Sequence, residues 1–425
     1  MDKPCIVPHD DRWRTRRGVI KSGALAGIAS LAGCAGSISG LGGDPTEGGP
    51  ETWSMFQYDA ANTGNAQVTE PEGKVSLDWS FETGDSVRHP PIVHDGVVYA
   101  RGVVAISIED GSERWDEPIG GTSMATTDEY LYTAHNRAGP KDGLFKVHSR
   151  DDGTELARYP IPGYESAALS IVDGTAYVSS NRATSTTNTH VDVEKIYALT
   201  AQGGIQWSYE LQQPDAPGEG SYWRALSPVV EDGTVYTATH TGEDVATETV
   251  AAVSRQDGSE EWTNRIPDEP CAPMSVANGT LYVPIREENG CELLALSTAD
   301  GSEQWRFETD HDVLSSVAVT SDRLCVVGRT GDDDTTAYGL SVDGGEERWT
   351  YERDHRFHRP PVVVDNTVYI TGVTFEKHGR IHALDVDDGS ERWVTETDEH
   401  INTSPVVCQG RVLVGSAENK LLAFN

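Results

Sequence analysis

Three short segments of this 425-residue chain place a cation directly ahead of an apolar run. They are Arg88-His89 before Pro90, Trp223-Arg224 before Ala225, and His358-Arg359 before Pro360. Asn402-Thr403 holds the corresponding place before Ser404-Pro405. A guanidinium offers a rigid fork of donors that matches a carboxylate with two parallel hydrogen bonds, so this set suits an anionic ligand. The competing reading is that each arginine pairs with a nearby Asp or Glu, which would contribute little. Other chemistries lack their residues. There is no Walker loop, no His-rich zinc spacing and no Ser-His-Asp context. None of the six cysteines has CxxC spacing. No catalytic residue, metal site or bound cofactor is expected.

The N-terminus carries an address. Thr15-Arg16-Arg17-Gly18-Val19-Ile20-Lys21 resembles a twin-arginine export signal, with Arg16 and Arg17 as its pair. The small-residue apolar stretch from Ser22 to Ala32 is short of the roughly 20 residues a spanning helix needs. Leu31-Ala32-Gly33-Cys34 then resembles a lipobox, which implies cleavage before Cys34 and lipid on its thiol. Residues 1–33 are therefore expected to be a signal peptide. Residues 34–52, rich in Gly with Pro, Ser and acids, read as a flexible tether. Residues 53–425 would then stand on the outer face of the cytoplasmic membrane. That compartment permits disulfides, and Cys271 with Cys291 is the best-placed pair among Cys271, Cys291, Cys325 and Cys408.

Charge narrows the partners. Sixty-eight acidic residues against 33 basic ones give a formal charge of -35. Such a surface repels nucleic acid and anionic membrane. The acids are scattered along the chain, which suits a halophilic protein kept soluble in concentrated salt, where self-repulsion is screened.

The elements that must position the cations repeat along the chain. Asp110-Gly111-Ser112-Glu113-Arg114-Trp115 recurs as Asp257-Gly258-Ser259-Glu260-Glu261-Trp262 and as Asp300-Gly301-Ser302-Glu303-Gln304-Trp305. It returns at Asp388-Gly389-Ser390-Glu391-Arg392-Trp393, and in weaker form at Trp207 and Trp349. One copy has Ala157 where the others have Trp. Successive Trp-equivalent positions lie 42 to 55 residues apart, a period that with strand-like content predicts propeller blades. Each unit reads as four strands: an apolar run such as Pro361-Val362-Val363-Val364, a turn, a strand such as Val368-Tyr369-Ile370, a third such as Ile381 to Leu384, and the Trp strand. Trp79, Trp115, Trp207, Trp262, Trp305, Trp349 and Trp393 recur at one place in the unit, which marks packing and not a ligand site.

The ends fix the count. Leu421-Leu422-Ala423-Phe424-Asn425 aligns with a third strand, and no Trp strand follows it. The missing strand is Leu77 to Thr83, which resembles Glu303 to Thr309. The expected fold is all-β, an eight-bladed β-propeller of four-stranded antiparallel blades closed by strands from both termini, which removes open edges.

These repeats resemble the quinoprotein-like propeller family, and Trp53 to Gly64 resembles its lead-in segment. That resemblance implies two kinds of member: dehydrogenases with a quinone and a calcium ion over the channel, and cofactor-free lipoproteins that bind protein. This chain has no adjacent Cys-Cys pair of the alcohol-oxidising type. Its expected function is thus a non-enzymatic binding or scaffold module, a monomer, holding an unknown protein or anionic extracellular ligand. The ligand would bind at the face carrying the long connections near 182–194, 210–224 and 240–249. The alternatives are a quinone- and calcium-dependent dehydrogenase of alcohols or sugars, and a polysaccharide binder using Tyr222-Trp223. If Cys34 carries the anchor, Cys34→Ser should move the protein from the membrane pellet to the soluble fraction on fractionation at native salt. Unchanged pelleting would overturn the anchor.

Overall fold

The computed structural model describes residues 51–100, 104–117, 123–136, 142–162, 169–180, 182–183, 195–201, 204–211, 222–240, 248–287, 290–331, 334–357 and 359–425. They form an eight-bladed β-propeller of four-stranded antiparallel sheets. The first blade comprises Ile92–His94, Val97–Ala100, Val104–Ser107 and Glu113–Asp116. The next five span 123–162, 170–210, 229–266, 275–309 and 318–352. The seventh comprises Val362–Val364, Thr367–Val373, Gly379–Asp385 and Glu391–Thr397. The eighth takes Val406–Cys408, Arg411–Gly415 and Lys420–Phe424 from the C-terminal end and Leu77–Glu82 as its outermost strand. Trp79 pairs with Ala423 and Phe81 with Leu421, so the ring is closed by main-chain hydrogen bonds between both ends.

Alternation of sequence explains the layering. Innermost, second and third strands are buried nearly throughout, as in Val362–Val364 and Thr367–Val373. Outermost strands alternate, as in Leu77–Glu82 and Glu303–Thr309, because one face packs and the other is wet. The turn between the first two strands is tight. Asp95 and Gly96 both take positive φ, and Asp173-Gly174, Asp232-Gly233 and Asn278-Gly279 do the same. That is the two-residue geometry matching strand twist.

Blades dock through an aromatic ring laid on the next blade's Gly turn. Trp79 Nε1 donates to Ile108 O at 3.0 Å, Trp262 to Thr298 O at 2.8 Å and Trp349 to Val386 O at 2.9 Å. Trp115, Trp207 and Trp305 make the equivalent bond to Arg150, Arg255 and Val342. In the second blade, where Ala157 holds the Trp position, Tyr159 fills the slot. Its ring lies 3.2 Å from where a Cβ on Gly204 would stand, and its hydroxyl donates to Ala201 O. Trp393 has no such Gly turn to cover, because the eighth blade is joined from two chain ends. It packs instead on the core of the eighth blade and against Tyr369.

A second device lies on the axis. The segment after Glu51 runs around the inside of the ring and accepts one N–H from the innermost strand of each of six blades. Trp53 O takes Val93 N, Ser54 O takes Thr126 N, Ala60 O takes Val230 N and Ala61 O takes Val276 N. Thr63 O takes Val319 N and Gly64 O takes Val363 N. Asn65–Ala66 then pairs in parallel with Val363–Val364, and Thr69 O takes Gly410 N in the eighth blade. Trp53, Met55, Tyr58, Ala60 and Ala61 of this segment are buried, so it fills the channel at this level. Val93 lies two residues before the Asp95-Gly96 turn. Among the described residues, the lead-in segment thus occupies the axis at the level of the innermost strands and toward their tight turns.

The docking geometry has a measurable consequence. Gly301 has φ +69°, and a Cβ there would stand 2.6 Å from the Trp262 ring. Gly174 has the same φ with open space around it. Gly174→Ala should cost only the left-handed backbone penalty of about 1 kcal/mol. Gly301→Ala should cost about 1–3 kcal/mol more, read from denaturant midpoints at fixed salt. Equal shifts would mean the ring does not hold the turn.

Candidate functional site

The segments that enter the innermost strands stand at the end of the ring opposite the tight turns. Arg88, His89, Arg359 and Asn402 stand there, three or four residues ahead of Ile92, Val362 and Val406. The structure brings them together. Arg359 Nη2 donates to Asn402 Oδ1 at 2.6 Å, bridging the seventh and eighth blades. His89 touches solvent, yet enough protein surrounds it for desolvation to be the main cause of its lowered pKa. Arg359 and then Arg88 add to that lowering as neighbouring positive charges. Arg359 is itself held below its usual value, by desolvation first and then by Arg329. Arg329 is next to last in the strand Arg323–Thr330 of the sixth blade, and its side chain makes one long hydrogen bond, to Gly331 O at 3.4 Å.

None of Arg88, Arg329 and Arg359 has a carboxylate partner among the described residues. Elsewhere in the ring arginines do pair: Arg150 holds Asp95 at 2.8 Å, Arg255 holds Asp173 at 2.6 Å and Arg380 holds Glu396 at 2.9 Å. Arg359 thus lies close to both His89 and Arg329, and Arg88 close to His89, so these segments gather positive charge.

Other sequence candidates fall elsewhere. Trp223 and Arg224 lie on a separate short strand, Tyr222–Ala225, where Arg224 pairs with His240 and Trp223 with Arg182. Arg224 thus enters five residues before Val229, further out than Arg88 or Arg359. The side chains of Tyr222, Trp223 and Arg224, and all of His358, lie outside the described residues, as do Arg16, Arg17 and Cys34. So does most of the three long connections. Cys271, Cys291, Cys325 and Cys408 are free thiols. Cys271 Sγ donates to Leu314 O at 3.7 Å at the seam of the fifth and sixth blades, and the nearby Cys271 thiol, then burial, make ionising Cys291 costly.

Two clusters escaped sequence reasoning. At the seam of the sixth and seventh blades, Tyr351 Oη donates to Glu391 and meets His382 Nδ1 at 2.9 Å. His382 Nε2 lies 2.8 Å from His355 Nε2, so one ring donates to the other. Burial, then the His355, Arg353 and Arg380 charges, push His382 down to about 2. The pair is neutral and serves as a polar weld between blades. On the filled side of the channel, Asp59 accepts from Thr63 N at 2.8 Å and Thr63 Oγ1 at 2.5 Å. Burial raises its pKa to about 6 despite those bonds. Burial, then the Asp232 charge, raises Glu231 to about 7, with Asp59 adding to it. Nothing in the spacing of Asp59 and Glu231, 172 positions apart, signals their meeting. Among the described residues no group of three or more His, Cys, Asp or Glu is placed to hold a metal ion.

Asp59 gives a pH dependence with a definite sign. Its folded pKa lies above the unfolded one, so its favourable contribution is complete below the unfolded value and is lost as pH rises through about 6. Asp59→Asn removes that loss and keeps the acceptor for Thr63 N. Between pH 4 and pH 8 the variant's stability relative to the parent should therefore rise, by about 2–3 kcal/mol at most. Parallel denaturation curves at the two pH values test this, and a constant difference would show that Asp59 stays ionised.

Comparison with known proteins follows the same lines. No curated protein matches the chain. Among solved structures, the quinohemoprotein alcohol dehydrogenase from Comamonas testosteroni is similar with TM-score 0.65 at 13% identity, over 88% of this chain and 80% of that one. BamB from Moraxella catarrhalis is similar with TM-score 0.59 at 15% identity, over 83% and 100%. A europium-containing methanol dehydrogenase is similar with TM-score 0.64 at 14% identity, over 89% and 99%. At these identities the likeness is one of fold. The family described as outer membrane protein assembly factor BamB matches residues 103–283, 246–357 and 354–425, and the chain belongs to that repeat family.

Proposed function

We propose that the protein is an exported, lipid-anchored and non-enzymatic binding module that holds a carboxylate-bearing ligand at the channel mouth on its loop-rich face. The observation that carries this reading is the set of Arg88, His89, Arg329 and Arg359, whose arginines have no carboxylate partner among the described residues of a protein with 68 acidic residues. Arg359 is already oriented by Asn402. An oriented, partly desolvated guanidinium loses little further freedom when it binds. Membership of the BamB repeat family agrees with a binding role, and the twin-arginine-like and lipobox-like segments agree with export and anchoring.

A second reading, a quinone- and calcium-dependent dehydrogenase, draws on the likeness to the quinohemoprotein alcohol dehydrogenase. The described mouth residues would suit the carboxylates of such a quinone. They do not suit a calcium ion, which takes six to eight oxygen ligands, because three of them are cations. An absorbance titration of the purified protein with pyrroloquinoline quinone, with and without calcium, separates the two readings. Saturable binding with dye-linked alcohol oxidation would favour the dehydrogenase.

The binding reading predicts that citrate and a poly-glutamate peptide, used as probes, bind the parent protein at native salt. Arg88→Gln with Arg359→Gln should weaken both about 10- to 100-fold, the worth of charge-assisted hydrogen bonds. Calorimetric titration reads this directly, and unchanged affinity for both probes would sink the reading.

A further inference from the structure

Two places in the chain read Asn-x-Ser/Thr, the acceptor pattern for a sugar on the asparagine amide. They are Asn278-Gly279-Thr280 and Asn402-Thr403-Ser404. So short a pattern also arises by chance. What separates the two is whether the folded chain can offer both the amide and the hydroxyl to a transferase.

Asn402 is already engaged. Its Oδ1 accepts Arg359 Nη2 at 2.6 Å, and Ser404, which carries the hydroxyl of that pattern, is only 5% exposed. Thr403 between them is fully buried. Its Oγ1 accepts Gly415 N at 2.9 Å and its carbonyl accepts Thr371 Oγ1 at 2.9 Å. Presenting this segment to an enzyme means pulling the entry to the eighth blade out of the ring.

Asn278 is the reverse. It is exposed, and it opens the two-residue turn that joins Ser275–Ala277 to Thr280–Glu287 in the fifth blade. Ala277 pairs with Thr280 across that turn, so Asn278 stands at the tip of a hairpin and Thr280 at its base. The φ of Asn278 is +54°, a left-handed value that Asn tolerates. The main chain is pinned, because Asn278 N donates to Glu231 Oε1 of the fourth blade at 3.1 Å. The side-chain amide makes no hydrogen bond among the described residues. Thr280 Oγ1 donates to Gln304 Oε1 at 3.2 Å at the surface, and another acceptor can replace that bond at little net cost. The turn therefore offers its amide without any blade opening. It also lies at the tight-turn end, away from Arg88 and Arg359, so a glycan there leaves the proposed ligand entry clear.

We propose that Asn278 is an N-glycosylation site and that Asn402 is not. The proposal rests on the exported reading above, because this modification marks surface loops of secreted chains. The donor is an oligosaccharide carried on a lipid phosphate. Asn278 Nδ2 bonds to the anomeric carbon of its first sugar, and the bond from that carbon to the phosphate oxygen breaks. The lipid phosphate leaves with that electron pair, and Nδ2 gives up one proton to solvent.

Peptide mass mapping of the full chain isolated from its own cells tests this. Trypsin cuts after Arg265 and Arg286, and after Arg392 and Arg411, so the two acceptors fall in separate peptides. The peptide with Asn278 should carry the mass of whole sugar residues, and the peptide with Asn402 should not. Asn278→Gly, which keeps the left-handed turn, should abolish the added mass. Thr280→Val should abolish it too, while Thr280→Ser, which restores the hydroxyl, should retain it. An unmodified Asn278 in a chain that begins at Cys34 overturns the proposal and leaves export standing. So does added mass that persists in Asn278→Gly, or a sugar found on Asn402. A chain that keeps residues 1–33 and carries no sugar overturns the exported reading and the proposal together.

Discussion

The whole ring leans on a row of backbone hydrogen bonds along its axis. An innermost propeller strand pairs with its own second strand on one side only, so its other edge faces the channel with N–H groups unmet. A buried N–H without a partner costs about as much as a lost hydrogen bond and its desolvation. The lead-in segment meets that demand in six blades, with carbonyls from Trp53, Ser54, Ala60, Ala61, Thr63 and Gly64. Its irregular course follows from the task. A strand of regular pleat cannot turn inside a ring, and positive φ at Gln57, Tyr58, Asn62 and Gly64 supplies the bends. One segment therefore ties non-adjacent repeats together, which nearest-neighbour contacts between blades do not do.

That constraint also shapes where a ligand would enter. Among the described residues, Trp53, Met55 and Tyr58 occupy the axis toward the tight-turn end, so the proposed ligand would approach from the end where the innermost strands begin. The connections there differ from blade to blade, while the Asp-Gly turns at the other end are nearly uniform. Rigid blades with variable entry segments are a common way to hold a specific set of side chains. Ring closure by Leu77–Glu82 against Lys420–Phe424 matters for the same reason. It fixes Asn402 of the eighth blade against Arg359 of the seventh, and both near Arg88 of the first.

The blades were legible because their signals are local and repeated. The turn Gly and the Trp sit four residues apart in most copies and three apart at Gly204 and Trp207, and the half-blade at each end completes the other. Tyr159 was not legible in place of the missing Trp, because it reaches the Gly204 turn from two residues further along its strand. The mouth cations were readable as a list, since they precede aligned apolar runs. Arg329 was not, because it enters from the end of a second strand and not from the segments before the first.

The charge of the protein sharpens what its mouth can recognise. In molar salt the screening length falls to about 3 Å, so neither the acidic surface nor the arginine cluster acts at a distance. Long-range steering is absent, and only groups in contact contribute. Solvated surface arginines would then be poor binders, competing with concentrated anions such as chloride for a weak gain. Arg359 differs because it is partly desolvated, held by Asn402 and set beside like charges. A bidentate carboxylate satisfies both its direction and its charge, which a spherical halide does only in part.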